Sequence, residues 1–119
     1  MKIKIKAILL FLLVASLVKV KLVYYPSLSS VSLTGHQKVY EITSPDHKYK
    51  LNVYLYGGVL VKSDYSYIGE LEEVTTSKKK NVLWFKPDLG EVRWIDHNTL
   101  LVDDKKINVE KNTYDFRWD

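Results

Sequence analysis

The sequence contains no cysteine among its 119 residues. This absence excludes disulfide bonds, thiolate metal sites and a cysteine nucleophile. It also excludes the lipid-modified cysteine of a bacterial lipoprotein, so any membrane anchor of this chain has to be peptide. A chain without thiols is indifferent to the redox state of its surroundings, and its location therefore has to be inferred from other features.

Acidic residues are missing from the first 25 positions, which hold Lys2, Lys4, Lys6, Lys19 and Lys21. From Pro26 onward the remaining 13 Lys and Arg residues stand against all 14 Asp and Glu residues. The formal net charge of +4 therefore originates in the N-terminal segment. A nearly neutral remainder lacks the basic surface that nucleic-acid binding requires, so we do not expect nucleic acid as a partner.

A basic start precedes an apolar run at the N-terminus. M-K-I-K-I-K is followed by the uncharged run from Ala7 to Val18, which as a helix is ~18 Å long, shorter than the ~30 Å hydrocarbon core of a bilayer. Because lysine can extend its ammonium group to the lipid headgroups, the span can reach from Ile3 to Val23. We therefore expect residues 1–25 to form a single transmembrane helix that anchors the chain in the lipid bilayer.

The lysines also predict the orientation of this anchor. Three lysines and the α-amino group precede the apolar run and two lysines follow it, which favours a cytoplasmic N-terminus and an extracytoplasmic C-terminal domain. Val14-Ala15-Ser16 offers small residues to a signal peptidase, so a cleaved signal peptide and a secreted protein are the alternative. A buried helix of a cytosolic protein is the third interpretation.

The rest of the chain reads as a linker followed by a β-domain. Residues 26–35, P-S-L-S-S-V-S-L-T-G, are rich in serine and predict a solvated linker. Residues 36–119 show short runs of β-branched and aromatic residues separated by turn residues. This pattern predicts an all-β fold, a single small antiparallel meander or sandwich of about six or seven strands.

The clearest strand is predicted from Tyr49 to Tyr56, where inward apolar residues alternate with an outward set that includes Asn52. Other strands are expected at residues 39–43, 65–74, 81–86, 91–95, 99–102 and 106–109. The 81–86 strand has apolar residues on both faces, which is typical of a central strand covered on two sides.

Turn residues and glycines punctuate this pattern. Ser44-Pro45-Asp46-His47 predicts a tight turn, and Gly69 predicts a bulge or a close backbone approach. Residues 75–80 predict a polar hairpin loop. The aromatic C-terminal run from Tyr114 to Trp118 is expected to close the core or to pair along a sheet edge.

The polar residues of the sequence do not assemble a recognisable catalytic or metal site. The histidines, His36, His47 and His97, lack metal-ligand spacing, and Asp96, Asp103 and Asp104 lack the alternation of a calcium loop. Glu70 and Glu72 share a strand face, which we interpret as solvated, and Lys78-Lys79-Lys80 as a solvated hairpin tip. No nucleophile, phosphate-binding or dinucleotide motif is present. We therefore expect neither an enzyme nor a cofactor or metal.

Four tyrosines are the best candidates for a binding surface: Tyr54, Tyr56, Tyr65 and Tyr67. Tyrosine is enriched at recognition surfaces, and Tyr54 and Tyr56 are predicted to face away from the core. The sequence thus favours a non-catalytic binding module with a protein or another envelope component as its partner. A secreted inhibitor or immunity-type protein of the same fold is the alternative, followed by a small hydrolase.

Several short motifs resemble a family of small proteins of unknown function from Gram-positive bacteria. The motifs are Ser44-Pro45-Asp46-x-Lys48-Tyr49, Gly57-Gly58, Gly69-Glu70-Leu71, Lys79-Lys80-Asn81-Val82-x-Trp84, Trp94-Ile95-Asp96-x-x-Thr99 and Tyr114-Asp115-Phe116-Arg117. The resemblance implies a single-helix membrane protein or lipoprotein with a compact β-domain, and it implies no activity. This chain departs from the pattern at Asp103-Asp104-Lys105, where the family has an N-G-H type of turn, and it lacks a lipobox cysteine.

Overall fold

The computed structural model describes Leu13 and residues 26–57, 65–89 and 91–118. It divides the chain into two units, Met1–Val31 and Ser32–Asp119. In the described part of the first unit, Leu28–Ser30 forms a short 3-10 turn. No helix among the described residues is both long and apolar enough to cross a membrane. The helix predicted over residues 1–25 lies outside the described residues, Leu13 excepted.

The second unit is built from two β-sheets, which confirms the predicted all-β fold. One sheet has the strand order β1-β2-β3-β4-β8, and the other has the order β5-β6-β7. The strands are β1 (Lys38–Thr43), β2 (Tyr49–Gly57), β3 (Tyr65–Glu73), β4 (Lys79–Phe85), β5 (Val92–Trp94), β6 (Thr99–Val102), β7 (Lys105–Asn108) and β8 (Tyr114–Asp115). A 3-10 turn at Pro87–Leu89 leads from the first sheet to the second.

The last strand was not among the predicted ones, and it breaks the antiparallel pattern. β8 pairs with β4 in parallel, with Leu83 opposite Tyr114 and Trp84 opposite Asp115. The described residues thus hold eight strands, one more than the six or seven expected. A two-residue strand is too short to show a period in the sequence, although the C-terminal run does pair along the sheet edge as expected.

The turn between β1 and β2 forms as its residues predict. The His47 N–H donates to the Ser44 carbonyl at 2.9 Å, and the Ser44 hydroxyl donates to Asp46 Oδ1 at 2.8 Å. His47 has a φ of 61°, a left-handed conformation that closes the turn. This geometry sets the register in which Ile42 lies opposite Leu51.

The irregularity predicted at Gly69, a bulge or a close backbone approach, is confirmed, with the extra residue Val82 on β4. The β3–β4 register shifts between Gly69 and Glu70. A Cβ at position 69 would lie 3.1 Å from both Leu51 Cδ1 and Leu83 Cβ, so neighbouring side chains occupy the space above the glycine. Gly69 therefore allows strands β2 and β4 to place large residues on both sides of β3.

The loop predicted at residues 75–80 is shorter in the structure, because β4 begins at Lys79. Lys79 lies opposite Glu72 and Lys80 lies opposite Leu71. The Lys79 Nζ also lies 3.7 Å from Glu72 Oε1 across the strands. Pairing with β3 thus outweighs the low strand propensity of lysine, and the prediction was wrong at these two positions.

The core lies between the two sheets. Its members include Leu51 and Val53 of β2, Leu83 and Phe85 of β4, and Leu100 of β6, which are buried in one shared cluster. We call the side of the five-stranded sheet that carries these residues its inner face, and the opposite side its outer face. Since side chains of directly paired residues point to the same side, the register assigns the remaining residues to one face or the other.

Candidate functional site

The structure divides the four candidate tyrosines between the two faces. Tyr67 lies opposite Phe85 and Leu55, in the inner-face rows, and Tyr65 is two positions away on the same strand. Tyr54 lies opposite Ile68 and Tyr56 opposite Ser66, in the outer-face rows. All four side chains are partly buried. The prediction that Tyr54 and Tyr56 face away from the core agrees with this register, but the four rings do not form one surface.

The outer face carries an aromatic cluster centred on Trp84, which is only 5% exposed. Its indole Nε1–H donates to the Ser66 hydroxyl oxygen at 2.8 Å. The Tyr56 ring meets it edge to face with centroids 5.1 Å apart, and His36 stacks on Tyr56 at 5.1 Å. Phe116 lies on another side of the indole at 6.5 Å. We call this set the outer cluster.

The chain supplies its own cation to the outer cluster. The Arg117 guanidinium carbon lies 3.6 Å from the centroid of the Trp84 ring. Asp115 holds the guanidinium, because Arg117 Nε donates to its Oδ1 at 3.0 Å and Nη2 to its Oδ2 at 2.7 Å. Such a bidentate pair fixes the planar group over the indole. The indole N–H and the ring face of Trp84 thus both find partners within the chain.

The inner face carries an open cleft of about 540 Å³, within the ~300–1,000 Å³ typical of ligand pockets. Its walls are the rings of Tyr40, Tyr67 and Phe85 and the aliphatic side chains of Ile42 and Val92, with Glu91 at its rim. We call it the aromatic cleft. The Tyr67 and Phe85 rings lie 5.5 Å apart, and Tyr65 packs against Tyr67 at 5.9 Å.

The contact between β1 and β5 shapes the aromatic cleft. The Trp94 Nε1–H donates to the Ile42 carbonyl at 3.2 Å and so joins the second sheet to the edge strand of the first. The Tyr49 ring stacks nearly parallel to Trp94 at 6.3 Å. These contacts hold Val92 and Glu91 beside the inner-face residues Tyr40 and Ile42.

Polar groups converge on this mostly apolar cleft. Burial raises the pKa of Tyr40 above its ordinary value, and the nearby Tyr67 hydroxyl and Glu91 carboxyl raise it further. The Tyr40 phenol therefore remains protonated through the physiological range, as a neutral hydrogen-bond donor and acceptor. A carboxylate and two phenols at one apolar cleft form the arrangement expected of a ligand site.

No described cation–π contact or ion pair reaches the rings or the carboxylate of the aromatic cleft. The described cation–π contacts involve other rings, such as Lys86 over Phe116 at 5.3 Å. The described ion pairs likewise join other residues and leave Glu91 without a basic partner in residues 26–57, 65–89 and 91–118. The rim carboxylate and the ring faces are therefore not neutralised by a described side chain.

A second cleft, of about 420 Å³, lies near the lysine run and is lined in part by Lys78, Lys80 and Tyr49. Its charges are of both signs, since Glu73 and Glu110 also line it. The Tyr49 hydroxyl donates to Glu110 Oε1 at 2.9 Å, and both burial and Glu110 raise the pKa of Tyr49. Lys79 lines it as well, so three lysines stand against two glutamates, and this mixture of signs gives the cleft no clear preference for a ligand of one charge.

The paired glutamates of β3 lie on the outer face, as predicted, but they are not fully solvated. Both side chains are partly buried, and Asn52 Nδ2 donates to Glu70 Oε1 and to Glu72 Oε1 at 3.3 Å each. Asn52 itself is 2% exposed, although its place in the β2 alternation predicted an outward position. The neighbouring rows of the sheet bury it, and the shared amide shows that the two carboxylates belong to one polar network.

The remaining sequence candidates lie in turns or in contact with the backbone. His36 Nδ1 lies 3.1 Å from the Leu55 carbonyl oxygen, and His47 is in the β1–β2 turn. Hydrogen bonds from the backbone, chiefly the N–H of Asn98, lower the pKa of Asp96. In the described part of the chain, no group of three or more His, Asp or Glu residues is placed to hold a metal ion.

Sequence reasoning identified Tyr67 as a candidate but missed Tyr40, Phe85 and Glu91. Tyr40 and Ile42 alternate in β1, which identifies them as one strand face. Their place beside Glu91 depends on β1 meeting β5, about 50 residues later in the chain. Periodicity within a strand carries no information about such a long-range contact.

Comparison with known proteins identifies a family but no function. A search of curated proteins and a search of solved structures gave no match. Residues 2–119 match a family model described as a family of unknown function. Because the match covers nearly the whole sequence, this chain belongs to that family, DUF5412.

Proposed function

We propose that this chain is a membrane-tethered, non-catalytic binding module of the Gram-positive cell envelope. In this proposal residues 1–25 form the tether, the N-terminus is cytoplasmic, and the β-domain lies outside. The basic start and the apolar run from Ala7 to Val18 support the tether, and the excess of lysines before the run supports the orientation. The motif resemblance supports the bacterial group.

The observation that carries the binding role is the aromatic cleft. Two phenols and one carboxylate converge on an apolar recess that the two sheets leave open. These groups can orient a ligand by hydrogen bonds and charge. Hydrolysis or group transfer needs an activated nucleophile or a paired acid and base, which this set of side chains does not supply. The cleft is therefore better suited to binding than to catalysis.

The tether is tested by cell fractionation and by the intact mass of the mature chain. Full-length protein in the membrane fraction supports the proposal. A soluble product that begins near Leu17 would favour the alternative, a secreted inhibitor or immunity-type protein, for which Val14-Ala15-Ser16 supplies the cleavage site. Full-length protein in the cytosol would remove both interpretations.

The binding role is tested by photo-crosslinking in intact cells. A photoreactive phenylalanine analogue replaces Tyr67 in the aromatic cleft or Tyr54 on the outer face of the full-length chain. We expect a covalent adduct from position 67 and none from position 54, the matched control of the same residue type. Adducts from position 54 alone, or from neither position, would overturn the assignment of the cleft.

A further inference from the structure

We propose that the aromatic cleft binds a quaternary ammonium group, held over the rings of Tyr40 and Tyr67 and neutralised by Glu91. This inference rests on the proposed binding function and adds the chemical class of the ligand. The supporting observations are the ring arrangement, the charge of the rim and the contrast with the outer cluster of the same sheet.

The ring arrangement favours a cation. The buried Phe85 ring supports Tyr67 from below at a tilt of 58°, with centroids 5.5 Å apart, so it does not stack on the face of the Tyr67 ring. Tyr40 lines the same cleft from the edge strand β1. A cation within about 6 Å of several ring faces is attracted by their quadrupoles. An anion would instead meet the negative ring faces and the Glu91 carboxylate.

The rim charge gives the complementarity that a cation requires. Glu91 is exposed beside the cleft and forms no ion pair with a described basic side chain. A ligand cation would therefore gain both the carboxylate and the ring faces without displacing a described partner.

Hydration selects the kind of cation. A primary ammonium is strongly hydrated and needs several acceptors to replace its water. The aromatic cleft offers one carboxylate and two phenols among apolar walls. A quaternary ammonium group has no N–H donors to satisfy and presents methyl groups to ring faces, as in known aromatic cages.

The test uses full-length protein labelled with 3-fluorotyrosine in a non-ionic maltoside detergent, which contains no choline headgroup. Tyr40→Phe and Tyr67→Phe assign the two cleft signals in the ¹⁹F spectrum. The probes are choline, its neutral carbon isostere 3,3-dimethylbutan-1-ol, and n-butylammonium. We expect saturable shifts of both cleft signals with choline, and roughly tenfold weaker binding of the neutral isostere.

Three variants locate the effect. Glu91→Gln keeps the shape of the rim but removes its charge, and we expect choline affinity to fall several-fold while isostere affinity stays unchanged. Asp104→Asn, which removes a carboxylate at an exposed turn outside the cleft, is the control and should leave both affinities unchanged. Tyr67→Leu keeps an apolar wall but removes a ring, and should weaken choline more than the isostere.

The possible failures are distinguishable. Equal affinity for choline and its isostere would show that the site does not recognise charge, and it would overturn the assignment of a cationic ligand. Crosslinking at position 67 would in that case still support the binding function. Tighter binding of n-butylammonium than of choline would overturn the quaternary class. If the fluorine spectrum shows native dispersion but no probe causes a saturable shift, the inference is overturned. If position 67 also fails to crosslink, the proposed function is overturned as well.

Discussion

Two aromatic groups lie on opposite faces of one sheet. They differ in whether described side chains supply hydrogen-bond and cation partners to their rings. In the outer cluster the indole N–H of Trp84 donates to Ser66, and Arg117 covers the ring at 3.6 Å. In the aromatic cleft, no described cation lies over the partly buried rings of Tyr40 and Tyr67. The outer cluster thus pairs its central ring with a cation of the chain, whereas no described side chain supplies one to the aromatic cleft.

The largest expected effect in this comparison is on the outer cluster. Trp84→Ala removes a buried ring together with its hydrogen bond and its stack with Arg117. We expect a loss of about 3–5 kcal/mol in the free energy of unfolding, because the tightly packed face leaves a cavity. Urea denaturation of the full-length protein in detergent measures it.

Trp118→Ala is the matched control, since Trp118 is 65% exposed. Its effect should stay within about 0.5 kcal/mol. Similar losses for both tryptophans would show that the outer cluster is not the structural element described above.

Gly69→Ala tests how tightly the sheet between the two groups is packed. The added Cβ meets Leu51 Cδ1 and Leu83 Cβ, each at 3.1 Å. The Leu83 Cβ is fixed to its backbone and yields only if β4 moves. We expect a destabilisation of about 1–3 kcal/mol by overpacking, read from the same denaturation curves.

A second-site substitution sharpens this result. Leu51→Val removes the Cδ1 atom that the new methyl group meets, so Gly69→Ala should be less destabilising in the Leu51→Val background. Strict additivity of the two changes would contradict the packing seen at Gly69.

Arg117→Lys keeps the charge of the outer cluster but loses the planar group that stacks on Trp84 and forms two hydrogen bonds with Asp115. We expect a loss of about 1–2 kcal/mol in the free energy of unfolding and no change in choline affinity at the cleft. Arg93→Lys, at an exposed position of β5, is the matched control. An equal loss in both variants would show that the stack contributes nothing to stability.

The two faces also show how far the sequence predicts this molecule. The strict alternation from Tyr49 to Tyr56 predicts β2 to within one residue, since periodicity is a local property. The Ser44–His47 turn and the bulge at Gly69 follow from local chemistry in the same way. β8 is missed because two residues show no period, and Lys79 and Lys80 are missed because pairing with β3 overrides their propensity.

The site is harder to predict than the fold. Tyr67 was found because tyrosine is common in binding surfaces, but so were Tyr54 and Tyr56, which the register places on the opposite face. Which ring is covered depends on the C-terminal segment and on β5, through contacts such as Trp94 with Ile42. Such contacts form only once the two sheets are assembled.

The smallest expected effect separates pH changes of the fold from pH changes of binding. Asp46 accepts hydrogen bonds from the Ser44 hydroxyl at 2.8 Å and from the Lys48 N–H at 3.1 Å, and these bonds lower its pKa. A lowered pKa in the folded state means that the carboxylate stabilises the fold above its ordinary pKa of 3.8. This contribution is lost as the pH falls from that value through the lower folded pKa.

Asp46→Ala should therefore be less stable than the parent at neutral pH, and the difference should vanish in acid. Denaturation midpoints of both proteins across this range measure the effect, with Asp88→Ala as an exposed aspartate control. A stability difference that persists in acid would show that the Asp46 side chain stabilises the turn without its charge. Choline binding at neutral pH should be the same in the variant and the parent, because the turn lies outside the cleft.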